Sequence, residues 1–430
     1  MNWKRFSFLI PWINAIILLS LLIQGISKSS QISDFRDYRR AAVIMQTRAD
    51  IYQYEETKNL SGKYTLDDIL KNPNLFKQLE ALKGNIASYI YPPTFAFLLM
   101  PLSYIEYNHA SMFFVIFNFL ALLGTIYLLS RMIPSENFSK ILMVTLIINY
   151  RFLENHGNNN QVAFLLMFLI LLAIYTKNDF LSGGLLSLAV IIKLTPLIFI
   201  LYYISERRWR AMLYFTLGLG FWIFLPFVQD PDYALKNWKN WIDMVLINTM
   251  KNPAFRAWKN NQSLIATLSK YFLDGADTQN QLIFRLPIVS LTMAQIKLIF
   301  NIITGILLIP LFIKLRKGIE TLPLISALFI LSVLLSGISW VHTFSFFVVP
   351  VAYVYSMYLE TNHAKFRTYL YVFGGIVILT SKQISGPFLE PVFMMFSILL
   401  YAGLFLYYQI FYILEGGDEE ESESSSPVKT

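Results

Sequence analysis

The sequence has no cysteine and only four histidines among its 430 residues. Without cysteine there is no disulfide, no thiolate nucleophile and no Cys-ligated zinc. The histidines never pair at metal-ligand spacing and no HExxH occurs, so no metal centre is expected. No GxGxxG follows a strand-like run and no Walker A motif is present, which leaves no room for a cytoplasmic nucleotide-binding domain. Charge is scarce as well. Asp, Glu, Lys and Arg make up 14% of the chain, against about 25% in soluble proteins.

Apolar length stands in place of charge. Hydrophobic residues are 56% of the total, gathered in segments of about 15–24 residues with short polar or basic loops between them, which predicts membrane spans. The net charge of +8 sits mostly in clusters at segment ends, such as Glu206-Arg207-Arg208-Trp209-Arg210 and Lys314-Leu315-Arg316-Lys317. Basic clusters so placed anchor cytoplasmic ends. They form no basic stripe with interleaved aromatics, so nucleic acid is not an expected partner.

These clusters predict an all-α, polytopic transmembrane bundle in one domain, residues 1–414. Lys4 and Arg5 place the N-terminus in the cytoplasm, and the stretch Phe6 to Ile23 reads as a retained first span because no small-residue cleavage site follows cleanly. Further spans are expected near 109–130, 140–155, 161–176, 181–193, 196–205, 211–228, 293–314, 321–336, 343–358, 369–381 and 391–413, about twelve in all, with both termini cytoplasmic. The run Thr94 to Ile105 after Tyr91-Pro92-Pro93 is short for a span. A full crossing there would flip every later basic cluster, so it is read as re-entrant or interfacial.

Two long loops then fall outside, 31–91 and 229–290. The first carries a capping-box pattern at Thr65-Leu66-Asp67-Asp68, followed by Leu75, Phe76, Leu79 and Leu82 at helical spacing. Residues 415–430 are acidic and Ser-rich, the composition of a disordered cytoplasmic tail. The oligomeric state is not legible.

Polar residues that membrane segments ought to avoid gather on the outer side: Asp34, His156, Gln161, Lys193, Asn261, Gln262, Trp340 and His342. Ionisable groups at membrane depth are costly and mark functional sites. Each also has a plainer reading. Asp34 can be a helix N-cap with Asp37 at the third helical position, or an ionised general base. Lys193, at the joint of two segments too short to cross, can snorkel or meet a phosphate as a point charge. His342 can be a satisfied structural imidazole, and Asn158-Asn159-Asn160-Gln161 a polar turn.

The motifs built on these residues resemble glycosyltransferase family 87, polyprenyl-phosphate-mannose-dependent α-mannosyltransferase-like proteins of GT-C fold. Asp34 with Tyr38, Ala41 and Ala42 matches the pattern Asp-x-x-x-Tyr-x-x-Ala-Ala after the first span. Tyr91-Pro92-Pro93 with Met100-Pro101-Leu102 matches a Tyr-Pro-Pro segment. Gln161-Val162, Ile192-Lys193-Leu194-Thr195-Pro196 and Arg208-Trp209-Arg210-Ala211 match the central block, the most specific part. Asn261-Gln262-Ser263 and Ser339-Trp340-Val341-His342 match later motifs. The chain departs where it has Asn160-Gln161-Val162-Ala163 for Gly-Gln-Val-Asn, and His342-Thr343 for His-His.

The resemblance implies an integral membrane hexosyltransferase of the plasma (inner) membrane. It would move a mannosyl unit from a polyprenyl-phosphate sugar to a glycolipid or glycan acceptor on the outer face, with inversion. Asp34 would be the catalytic base. Lys193, His342, Trp340 and Gln161 would meet the donor, and Asp37, Tyr38, Tyr91, His156, Asn261 and Gln262 would support the acceptor or the structure. The donor is a co-substrate, and neither cofactor nor metal is expected. Membrane lipids are the remaining partners. A lipid or sugar transporter is the competing class, since broken helices at membrane depth suit transporters too.

Overall fold

A computed structural model describes residues 7–31, 33–52, 89–247, 258–273, 289–362 and 364–424, with backbone alone at 364–365 and 412–424. The expected capping box at Thr65 and the helix around Leu75–Leu82 lie outside the described residues. Among those described the chain is helical, and the one strand-like pairing is a bridge between Leu273 and Leu291. The first half holds α1 (Ile10–Lys28), α2 (Asp34–Gln46), α3 (Pro93–Leu98), α4 (Met100–Ser103), α5 (Tyr107–Met132), α6 (Phe138–Asn159), α7 (Ala163–Tyr175) and α8 (Asp179–Ile192). A 3-10 turn (Thr195–Phe199) leads into α9 (Ile200–Ser205), then α10 (Trp209–Phe224), α11 (Pro231–Asn240), a π-helical turn (Trp241–Ile247) and α12 (Leu264–Phe272). The last part holds α13 (Met293–Lys317), α14 (Thr321–Leu334), a 3-10 helix (Val341–Phe347), α15 (Val348–Thr361), α16 (Ala364–Leu379), α17 (Lys382–Met395) and α18 (Ile398–Ser424).

Burial sorts these helices as a membrane bundle requires. Every residue of α14 from Pro323 to Leu334 is buried, so this helix, apolar all round, is the centre. In contrast, α1, α10 and α13 show apolar side chains such as Trp12, Phe221 and Ile306 to the exterior, where a bilayer would cover them. Among the described residues, five helices are long and apolar enough to cross, or seven if each bent pair is one span; four shorter apolar helices fall below that length. The expected spans 140–155 and 161–176 form one pair, α6 and α7, bent by 115°.

The Tyr-Pro-Pro segment forms two short helices, α3 and α4. Tyr91 at its start shares a 2.8 Å hydroxyl contact with Tyr38 of α2. At its far end the Arg39 guanidinium of that same helix donates to the carbonyls of Ser103 (3.2 Å) and Ile105 (2.7 Å). Both ends therefore meet one 13-residue helix. The two long loops also meet. The Tyr233 hydroxyl of α11 donates to the Ala49 carbonyl at 2.7 Å, and Arg48 pairs with Asp230 at 3.1 Å.

The expected span 391–413 is displaced. The chain bends by 78° after Leu379, runs sideways as α17, and starts its last long helix only at Ile398, after Ser397 takes a left-handed conformation. The helical backbone of α18 continues to Ser424, into the acidic segment expected to be disordered.

Close packing of α8 against α10 sets the broken helix at Lys193. A Cβ on Gly183 would lie 2.5 Å from the Ala211 carbonyl oxygen and 2.5 Å from the Phe215 nitrogen, both backbone. Small residues of this kind let membrane helices approach. Gly183→Ala is expected to cost about 1–3 kcal/mol, as overpacking does, seen as a lower melting midpoint of detergent-purified protein. A wild-type midpoint would contradict this packing.

Candidate active site

The first turn of α2 opens into a cavity of about 980 Å³. Asp34, Asp37 and Tyr38 line it together, because positions one helical turn apart share a face. Ser33 precedes the helix as its N-cap, without a side-chain cap bond. Asp34 is thus the first helical residue rather than the cap, and Asp37 the fourth rather than the third. The capping reading of Asp34 fails by one position, because the extended backbone that defines a cap belongs to Ser33.

A buried hydroxyl network fixes this helix. The Tyr38 hydroxyl donates to Gln161 Oε1 at 2.7 Å, and Tyr91 reaches the same oxygen at 3.4 Å. Gln161 is held in turn by the end of α6. Asn160 adopts left-handed backbone (φ 47°) there, which Asn tolerates well. Its Nδ2 donates to the Ser111 carbonyl and hydroxyl, both at 3.0 Å. Gln161, Tyr38 and Tyr91 all reach the cavity wall.

Lys193 lines the same cavity. It closes α8 in extended conformation (φ −152°), its N–H still donating to the Ala189 carbonyl, so the helix stops and the side chain leaves toward the cavity. Burial, then the Asp37 carboxylate, push Asp34 up to about 7, while Lys193 pulls it back. Burial likewise holds Asp37 up at about 6, opposed by Arg36 and Arg40. A carboxyl near 7 is half ionised at neutral pH, the condition that suits a general base. Trp340 and His342 complete this end. The Trp340 ring lies 5.7 Å from Trp258 and 6.1 Å from His342, centroid to centroid. The walls beyond are apolar, with Ile198, Val245, Leu246, Phe300 and Leu331.

Three expected residues stand behind the cavity instead of lining it. His156 stacks on Phe164 at 3.6 Å, and its Nε2 accepts the Phe164 N–H at 3.2 Å. The ring is therefore neutral, with its proton on Nδ1. Asn261 and Gln262 are fully buried and grip the loop before Trp340: Asn261 Oδ1 accepts the Ser339 N–H at 2.9 Å, and the Gln262 N–H donates to the Ser339 carbonyl at 2.8 Å. Among the described residues no three His, Asp or Glu side chains converge, and the cavity's carboxylates are Asp34 and Asp37.

The model of glycosyltransferase family 87 matches residues 89–317, just over half of the chain. The chain belongs to this family. Its match takes in Tyr91, Gln161, Lys193, Trp258 and Lys297, all on the cavity wall. A curated relative, the polyprenol-phosphate-mannose-dependent alpha-(1-2)-phosphatidylinositol pentamannoside mannosyltransferase of Mycolicibacterium smegmatis, is 30% identical over 126 residues, 29% of this chain and 31% of that protein. The protein of the same description from Mycobacterium tuberculosis is 28% identical over 127 residues, 29% of this chain and 30% of its own length. The family 87 chain thus aligns with less than a third of each relative. No solved structure matches it.

Sequence reasoning missed Lys297, Asn301 and Trp258 as lining residues. Lys297 and Asn301 lie four apart near the start of α13, and that polar pair on one face of a largely apolar helix was a usable signal. Trp258 gave none. Its indole N–H is buried without a partner among the described residues, a donor left for a ligand.

Proposed function

We propose that this family 87 chain transfers a mannosyl unit from a polyprenyl-phosphate-mannose donor to a hydroxyl of a lipid-linked acceptor on the outer face of the membrane. One observation carries the reading: Asp34 and Lys193 line a single cavity whose remaining walls are largely apolar. A base and a cation suit the two ends of the reacting bond. The apolar wall suits an isoprenoid chain, which a soluble nucleotide sugar lacks.

In the proposed step the acceptor hydroxyl oxygen attacks the anomeric carbon as the bond from that carbon to the phosphate oxygen breaks. Asp34 takes the hydroxyl proton. The electron pair leaves with the polyprenyl phosphate, whose added negative charge Lys193 and Lys297 offset. Trp340 offers a ring face to the sugar, and His342 and Trp258 offer polar N–H or N groups beside it. A single displacement inverts the anomeric centre. The lysines supply the positive charge, so the proposal includes no metal.

Positive-inside placement of the basic clusters supports the outer assignment. With no native cysteine, Ser33→Cys is expected to react with an impermeant maleimide in intact cells. Reaction only after the membrane is opened would overturn that side assignment. The product linkage should have the anomeric configuration opposite to the donor's, with transfer unchanged by EDTA. Retention, or loss of transfer on chelation, would overturn the step as written.

A further inference from the structure

Outside the cavity, Lys270 is a buried lysine that the step above does not use. Lys270, on α12, is 2% exposed. No carboxylate among the described residues pairs with it. Its Nζ donates instead to three backbone carbonyls: Asn261 at 2.9 Å, Met394 at 3.1 Å and Lys259 at 3.5 Å. An ammonium has three donors and no acceptor, so the three carbonyls satisfy it. A buried lysine is expensive, and an apolar residue would fill the same space at lower cost.

The carbonyls show what the charge holds together. Met394 lies in the last turn of α17, at the negative end of the helix dipole, and its carbonyl also accepts the Ser397 N–H at 3.1 Å. Lys259 and Asn261 belong to the turn before α12. Gln262 Nε2 donates to two of the same acceptors, Met394 at 2.8 Å and Lys259 at 2.7 Å. That turn grips the next segment: Asn261 Nδ2 donates to the Gly337 carbonyl at 3.0 Å, and Ser339 is held through both its N–H and its carbonyl. Trp340 and His342 follow directly.

We propose that Lys270 is a positioning residue. Its ammonium locks the 258–263 turn to the end of α17, and so sets where Trp340 and His342 face the cavity. The proposal rests on the function proposed above for its kinetic consequence. The structural link stands without it.

The test uses Lys270→Met in full-length protein, with a nitroxide on Ile338→Cys, the residue between Gly337 and Ser339. In Lys270→Met the nitroxide is expected to become more mobile and kcat to fall about 10- to 100-fold, since displacement of about 1 Å can cost that much. Donor KM should change far less. Lys270→Ala, if prepared in n-propylammonium, should lose kcat on dialysis and regain it saturably with the amine, but not with tetramethylammonium. This second variant decides the matter if Lys270→Met does not fold. Wild-type kcat in Lys270→Met, or an amine-independent kcat in Lys270→Ala, would overturn the proposal. A wild-type enzyme that transfers no mannose would refute the functional reading instead, and nitroxide mobility unchanged by Lys270→Met would still refute the link to the loop.

Discussion

Asp34→Asn should yield a folded protein that binds donor and transfers mannose about 10²- to 10⁴-fold more slowly, the usual loss when a general base is removed. Stability makes the result specific. Asp34 is raised from its ordinary 3.8 to about 7, so the folded chain favours the protonated acid. Its favourable contribution is complete below about pH 4 and is lost as pH rises through about 7. Asparagine never ionises. At pH 8 Asp34→Asn should therefore melt at or above the wild-type temperature while its kcat collapses. A residue kept for folding would show the reverse. The wild-type kcat/KM should rise with pH and level off above about 7, and the residual rate of Asp34→Asn should lack that limb. Asp37→Asn should lose little rate and move the limb downward, because the Asp37 carboxylate is one of the groups raising Asp34.

The second large effect is expected at Lys193. Removing a charge aimed at a leaving group costs about 10²- to 10³-fold in kcat, and Lys193→Met should fall in that range. It should also shift the acid limb of kcat/KM upward, since Lys193 is the group that lowers Asp34. Lys193→Arg keeps the charge but spreads it over a planar fork, so it should hold the limb near its wild-type position with only partial recovery of kcat. A Lys193→Met enzyme with an unmoved limb would show that the two residues do not act on each other.

The readable parts of this architecture were those governed by length and sign. The short run after Tyr91-Pro92-Pro93 read as too short to span, and it forms two short helices whose ends both meet α2. The segments around Lys193 were too short to span alone, and the helix does break there. What stayed hidden depended on packing. Ahead of the last long helix the chain instead forms α17, kinked at Gly386 (φ 74°) where two helical pieces meet. Ile384 and Phe388 of this helix are exposed, and its Glu390 pairs with Arg151 of α6 at 3.2 Å. Lys270 looked like any loop lysine, because the three carbonyls that satisfy it come from residues 9, 11 and 124 positions away. His156, Asn261 and Gln262 were legible as unusual, but not as residues that hold the cavity wall from behind.

The most direct test is donor use. Purified protein should be given radiolabelled polyprenyl-phosphate-mannose or, separately, GDP-mannose, each with the same membrane glycolipid extract. The cavity described here requires that label pass to glycolipid from the polyprenyl-linked donor alone, with polyprenyl phosphate released in equal amount and Asp34→Asn inactive in parallel. Transfer from GDP-mannose with none from the polyprenyl-linked donor would contradict it.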